Sequence, residues 1–290
     1  MNKDRGTCRR ITTKTPAVFL FMLDLSGSML EQITFNGKQK SKSEVLAIMM
    51  NRILGETLNR SLRENGYRDY FRIAVFGYYD NQVVQLLGDK PDCEFLTPAQ
   101  IDALETDTIY YEVPRKLPDG RNYVSTLSQR SWIKPRAEGS TPMVQALNEA
   151  ARLVHSELEN AQSGTLPPMV FNITDGESSD GSALELLAAA QKIKSLRTEQ
   201  GEVTLLNIHI SSDSASQSTL FPTDKCSFNN NRYAELLYDM SSVMPECYNH
   251  DIAQLKGCTP DAQFRAMSFN ASIFELFQML SIGTISSTFI

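Results

Sequence analysis

The sequence predicts an α/β fold built on a mostly parallel sheet, and three observations carry that prediction. Ala17 to Leu23 is a continuous apolar run, as suits a strand buried on both faces. Met169 to Ile173, arriving after Pro167 and Pro168, reads as a second such strand. Helical and strand-like stretches alternate through the rest of the chain, the pattern of one α/β unit rather than two. At 290 residues and 41% hydrophobic content, the chain can bury a substantial core.

Residues 1–16 read as a polar lead-in to a single domain over 17–290. Lys3, Arg5, Arg9, Arg10 and Lys14 ahead of an apolar run imitate a signal peptide. The run is short, breaks at Asp24 and has no small-residue cleavage site, so a buried strand explains it better. Glu31 to Lys42 reads as a polar loop; its Gly37-Lys38 lacks the earlier glycine and following hydroxyl of a phosphate loop. Ser41 and Glu44 make a capping-box signature, followed by Val45, Met49, Ile53 and by Leu46, Met50, Leu54, Leu58, Leu62 at helical spacing. Asn65-Gly66 is the expected end of that helix. Tyr70 to Tyr79 and Gln82 to Leu87 then read as an edge hairpin turning at Asp80-Asn81.

The stretch 88–139 is longer than the plan requires and reads as an insertion. Pro98 to Leu104 suggests a short helix, Thr108 to Val113 a strand, and Pro118-Asp119-Gly120 a tight turn into Tyr123 to Leu127. Its basic residues Arg115, Lys116, Arg121, Arg130, Lys134 and Arg136 suit either an acidic partner or a solvated face. Beyond it come a helix over Pro142 to Glu159 and, after the second buried strand, a helix capped by Ser182 with Glu185 that runs to Gly201. Val203 to Ile210 is a strand in which His209 reads as a core residue. A serine-rich loop after Ser211, a helix over Arg232 to Met244, a strand over Ala266 to Phe269 and a helix over Ala271 to Leu280 complete the chain.

Composition excludes several classes. The formal charge of −6, without a basic run, argues against a nucleic-acid binder. No stretch approaches the ~20 apolar residues of a membrane span. Cys8, Cys93, Cys226, Cys247 and Cys258 are odd in number and widely spaced, which reads as reduced thiols in a cytoplasmic protein. His155, His209 and His250 have no companions at ligand spacing.

The chemistry gathers at strand ends, where open parallel sheets bind ligands. Asp24, Ser26 and Ser28 alternate around Gly27, so one loop presents three hard oxygens, a donor set that suits Mg²⁺. Thr141, in Gly139-Ser140-Thr141-Pro142, offers a hydroxyl at a helix start, and Asp175 offers a second strand-end carboxylate. Singly, Thr141-Pro142 is also an ordinary helix start and Asp175-Gly176 an ordinary turn pair.

In this order the five residues Asp24, Ser26, Ser28, Thr141 and Asp175 resemble the metal ion-dependent adhesion site of von Willebrand factor A domains, of the bacterial intracellular type. The resemblance implies a doubly wound, Rossmann-like, mostly parallel sheet with one antiparallel edge strand and helices on both faces. It further implies Mg²⁺ or Mn²⁺ bound by the serines and threonine, with the aspartates acting largely through water. The open coordination position would take an Asp or Glu of a partner protein, and intracellular bacterial members work beside kinases, phosphatases or ATPases. The expected function is therefore a metal-dependent protein–protein interaction module. The alternative is a metal-assisted hydrolase acting on a phosphoryl or acyl substrate. Without a G-x-S-x-G elbow, a histidine placed as a base or a second carboxylate beside Asp24, no enzyme is expected.

Overall fold

A computed structural model of the chain describes residues 11–88, 90, 93–117, 121–161, 163–211, 218–271, 275, 278 and 279. The start of the polar lead-in with Cys8, the Pro118-Asp119-Gly120 turn, the serine-rich segment 212–217 and most of the closing 271–280 helix lie outside the described residues.

Strand β1 (Ala17–Asp24) is buried along its whole length. A hairpin follows, β2 (Gln32–Phe35) against β3 (Lys38–Ser41), then helix α1 (Lys42–Ser61). This hairpin occupies the stretch read above as a polar loop. Its turn is Asn36-Gly37, both at positive φ (49° and 76°), the conformation that two-residue hairpins require. The Ser41–Glu44 capping box forms as expected. The helix stops at Ser61, earlier than Asn65-Gly66 suggested, because β4 (Leu62–Arg63) and β5 (Gly66–Tyr67) pair there as a minimal hairpin.

Strand β6 (Phe71–Tyr79) turns at Asp80-Asn81 into β7 (Gln82–Gln85). Within the expected insertion, α2 (Pro98–Asp102) carries a Thr97–Gln100 capping box, and β8 (Asp107–Lys116) pairs with β9 (Asn122–Ser131) over ten residues. Then come α3 (Met143–Glu159), β10 (Met169–Thr174) and α4 (Ala183–Ser195). As with α1, α4 ends earlier than expected, before a small hairpin of β11 (Arg197–Thr198) and β12 (Gly201–Glu202). The last elements are β13 (Thr204–Ile210), β14 (Thr219–Leu220), α5 (Arg232–Met240), α6 (Asn249–Lys256) and β15 (Met267–Ala271). Helix α6 has no counterpart in the sequence reading, its Ile252 and Ala253 being too few buried positions to show a period.

Seven strands form the central sheet in the order β14-β15-β13-β10-β1-β6-β7. Pairings among β15, β13, β10, β1 and β6 are parallel. Both edges are antiparallel, β7 on one side and β14 on the other, where one antiparallel edge was expected. The chain steps from β1 to β6 on one side and later to β10 on the other, so β1 sits where strand order reverses.

Alternation along β1 divides the core. Phe19, Phe21 and Leu23 join a cluster with Leu46, Met50 and Ile53 of α1. Val18, Leu20 and Met22 join another with Leu147 and Val154 of α3, Ala190 of α4 and Leu237 of α5. Because side chains point alternately to opposite faces of a strand, the chain must supply apolar residues at every position of β1. That is the continuous run seen in the sequence.

Cysteine usage departs from expectation. Cys93, Cys226 and Cys258 are free, but Cys247 is disulfide-bonded, so the thiols are not all reduced. No helix among the described residues is long and apolar enough to cross a membrane.

Candidate metal centre

The carboxyl ends of β1 and β10 place two carboxylates side by side, since the strands pair in parallel with Leu23 opposite Ile173. Asp24 ends β1 fully buried. Its Oδ1 accepts from the Ser26 N–H at 2.8 Å and its Oδ2 from the Thr174 hydroxyl at 2.7 Å. Ser26 Oγ lies 3.0 Å from Ser28 Oγ, and Ser28 Oγ donates to Asp175 Oδ1 at 2.6 Å. Four of the five sequence-predicted residues therefore form one contiguous oxygen cluster.

Thr141 reaches the same edge by its backbone. The Gly27 N–H donates to the Gly139 carbonyl at 2.9 Å, and the Glu138 N–H to the Leu25 carbonyl at 2.7 Å, which lays the two loops together. Thr141 and Ser179 exchange two hydrogen bonds, Thr141 N–H to Ser179 Oγ at 3.0 Å and Ser179 N–H to the Thr141 carbonyl at 2.9 Å. Among the described residues no hydrogen bond joins the Thr141 hydroxyl to the other four. Nor does that hydroxyl cap α3: the helix begins at Met143, and Asp180 caps it from another loop, accepting from Val144 N–H at 3.0 Å and Gln145 N–H at 2.9 Å. The plain helix-cap reading of Thr141 thus fails, and its hydroxyl keeps its bonding capacity.

Several supporting residues escaped the sequence reading. Asp80, at the β6–β7 turn with φ 47°, accepts from the Ser140 N–H at 3.0 Å and donates its own N–H to the Ser140 carbonyl at 3.0 Å. Gly139 is needed beside it: its φ is +71°, and an added Cβ would fall 2.0 Å from Asp80 Oδ1. Gly139→Ala is expected to displace the Asp80–Ser140 pair and cost about 1–3 kcal/mol of stability by strain at positive φ, measured by denaturant unfolding. Tyr233 donates its hydroxyl to the Gly176 carbonyl, bracing the loop after Asp175. His209 lies opposite Thr174 in the β10–β13 register and stacks on Phe269 at 4.5 Å. Burial holds its pKa down to about 4, so it stays neutral near pH 7, as its reading as a core residue requires. Lys42, the first residue of α1, sends its ammonium 2.8 Å from Asp175 Oδ2.

Electrostatics divide the two carboxylates. Asp175 has the Lys42 ammonium, but among the described residues no side-chain cation reaches Asp24. Burial pushes the Asp24 carboxyl up to about 6 against the hydrogen bonds from Ser26 and Thr174, and the neighbouring Asp175 adds repulsion. Among the described residues no group of three or more His, Cys, Asp or Glu gathers as a ligand set. The candidate centre is instead hydroxyls with two carboxylates, a hard-oxygen set, and a divalent ion beside it would supply the positive charge that Asp24 lacks. The residues present therefore fit Mg²⁺ or Mn²⁺.

A pH dependence follows. The folded pKa of Asp24 lies above its unfolded value, so the folded state binds the extra proton and stability falls as pH rises from about 4 to about 6. The loss approaches about 3 kcal/mol at the plateau above that window. Denaturant unfolding in chelator is expected to show this component in the parent and not in Asp24→Asn.

The insertion reaches the site by its return segment. Gln129 Nε2 donates to the Ile48 carbonyl of α1 at 2.9 Å, and residues 132–139 run from there to the Gly27 loop. A cleft of about 420 Å³ lies between the two hairpins over α1, lined in part by Phe35, Ile48, Asn51, Ile109 and Glu112. Among the insertion's basic residues Arg130 pairs with Asp102, Lys134 with Asp107, and Arg136 with Glu138. Arg115, Lys116 and Arg121 are exposed toward the far end of the hairpin, near the exposed Tyr123 and Val124.

Neither a protein-family model nor a curated protein matches the chain. Solved structures with partial likeness include von Willebrand factor type A from Catenulispora acidiphila, 16% identical, TM-score 0.38, over 69% of this chain and 34% of that one. Proximal thread matrix protein 1 from the mussel byssus is 14% identical, TM-score 0.46, over 94% of this chain and 47% of its own. The vWF domain of the pilus tip protein Mfa5 from Porphyromonas gingivalis is 12% identical, TM-score 0.32, over 61% and 49%. The chain spans less than half the length of each of these neighbours.

Proposed function

We propose that the chain is a metal-dependent protein–protein interaction module of the von Willebrand factor A type, a doubly wound α/β domain binding Mg²⁺ or Mn²⁺ through Asp24, Ser26, Ser28, Thr141 and Asp175. The observation that carries this reading is the oxygen cluster itself. Residues from two parallel strand ends, 147 positions apart between Ser28 and Asp175, converge around a buried carboxylate that no side-chain cation among the described residues reaches. Ser26 and Ser28 would hold the ion directly and Thr141 would join them, while Asp24 and Asp175 orient the hydroxyls and the ion's waters. Bound there, the ion supplies a Lewis-acidic position. A partner's Asp or Glu would gain a charge-assisted contact at that position.

Binding without catalysis is the proposal, because His209 is stacked on Phe269 and burial holds its pKa down to about 4, which leaves it a weak base. The exposed Arg115 and Lys116 favour an acidic partner surface. A kinase, phosphatase or ATPase system remains the expected setting from the resemblance. The Cys247 disulfide weighs against the cytoplasmic placement read from cysteine count.

Titration calorimetry with Mg²⁺ and Mn²⁺, paired with capture of partners with and without chelator, tests the reading. Saturable ion binding with chelator-sensitive capture supports it; a parent protein that binds neither ion, alone or with an acidic peptide present, overturns it.

A further inference from the structure

Lys42 is placed where a lysine is costly. It is the first residue of a 20-residue helix, whose amino end repels cations, and its side chain is 4% exposed. Two carboxylates hold it there: Asp175 Oδ2 at 2.8 Å, itself 0% exposed, and Glu31 Oε2 at 2.7 Å. The β2–β3 hairpin makes this possible, leaving the site loop at Glu31 and returning at Lys42, whose N–H donates to the Glu31 carbonyl at 3.0 Å. The chain thus makes a ten-residue excursion and comes back with an ammonium against one of the two candidate carboxylates.

Resting on the metal-site reading above, we infer that Lys42 is a built-in counter-cation that sets the ion affinity of the site and couples it to the partner. Its charge cancels that of Asp175, leaving Asp24 as a buried carboxylate that no side-chain cation among the described residues compensates. Glu31 is 54% exposed, so solvent screens most of its contribution. A divalent ion entering this set would carry more positive charge than its immediate surroundings neutralise. A partner's carboxylate supplies the missing negative charge. The ion and the partner therefore bind together better than either does alone, and by linkage each raises the other's affinity by the same factor.

The test is calorimetry with Mg²⁺ alone on the parent, Lys42→Met, Lys42→Arg and Glu31→Gln, with melting temperatures in chelator and in Mg²⁺. Removing the ammonium is expected to tighten Mg²⁺ binding about tenfold and to enlarge the rise in melting temperature on adding Mg²⁺. Lys42→Arg keeps the charge and should behave as the parent. Glu31→Gln strips the outer carboxylate from Lys42 at an exposed position where folding is not at stake, and should weaken Mg²⁺ a few-fold. Opposite shifts for Lys42→Met and Glu31→Gln support the inference. A parent that binds Mg²⁺ while both variants bind it equally or in the reverse order overturns it and leaves the metal site standing. If Lys42→Met does not fold, an unchanged affinity in Glu31→Gln overturns it instead. Binding of neither Mg²⁺ nor Mn²⁺ in any of the four proteins, with or without an acidic peptide, overturns the metal site itself.

Discussion

Asp24→Ala is expected to lower divalent-ion affinity by more than 100-fold while leaving the fold in place. Asp24 is the buried carboxylate that no side-chain cation among the described residues neutralises, so its charge is the largest attraction available to an incoming ion. Outer partners of metal ligands typically cost 10–100-fold when removed, and Asp24 combines that orienting role with the charge. Its Oδ1 also fixes the Ser26 N–H at 2.8 Å, so alanine releases the turn that aligns the two serine hydroxyls. Stability should respond little. In the chelated protein at pH 7 an ionised, desolvated Asp24 is a cost, and removing it offsets much of what the lost hydrogen bonds contributed. Calorimetry with Mg²⁺ and denaturant unfolding in chelator measure the two effects. A folded variant that binds Mg²⁺ as tightly as the parent would remove Asp24 from the site.

The parts of this arrangement legible in the sequence are those with local causes. The apolar runs of β1 and β10 and the carboxylates that end them follow from burial on two faces and could be read residue by residue. So could the capping boxes at Ser41 and Ser182. Hairpins were harder: β2–β3 has only Ile33 and Phe35 as apolar positions on one face, so its signal lay in the Asn36-Gly37 turn, and β4–β5 and β11–β12 are two residues long, leaving little pattern to read. Supporting contacts were harder still. Nothing near Lys42 marks it as the partner of a residue 133 positions away, and nothing near Asp180 marks it as the cap of a helix that precedes it. Asp80 and His209 enter the site's surroundings only through strand order and register. The ligand candidates lie at strand ends, which sequence reveals; the groups that orient them come from elsewhere in the chain.

The largest stability effect is expected from Asn51→Leu, at about 3–5 kcal/mol. Asn51 lies on α1 with 1% exposure, and its side chain serves the chain leaving β9. Its Oδ1 accepts from Trp132 N–H at 2.8 Å and Ile133 N–H at 2.9 Å, and its Nδ2 donates to the Ile133 carbonyl at 2.8 Å. Leucine matches the volume but takes the acceptor from the Trp132 and Ile133 N–H groups in or beside the core, each costing about 1–3 kcal/mol, while the Ile133 carbonyl keeps the Ser131 hydroxyl at 3.3 Å. Relaxation of the segment toward solvent returns part of that sum, which sets the expected range below the total. The consequence should spread to the metal centre, because the same segment continues to Glu138 and Gly139, whose hydrogen bonds to Leu25 and Gly27 hold the two site loops together. Trp132, the single tryptophan of the chain, sits at this junction, donating Nε1–H to the Ile101 carbonyl at 3.0 Å beneath the Arg130 guanidinium. Its fluorescence therefore reports the junction directly. In Asn51→Leu the tryptophan emission should shift toward that of exposed indole at denaturant concentrations below the global unfolding transition, with Mg²⁺ affinity reduced in the same range. Coincident transitions with unchanged stability would show instead that the insertion is anchored by other contacts and that the site loops do not depend on it.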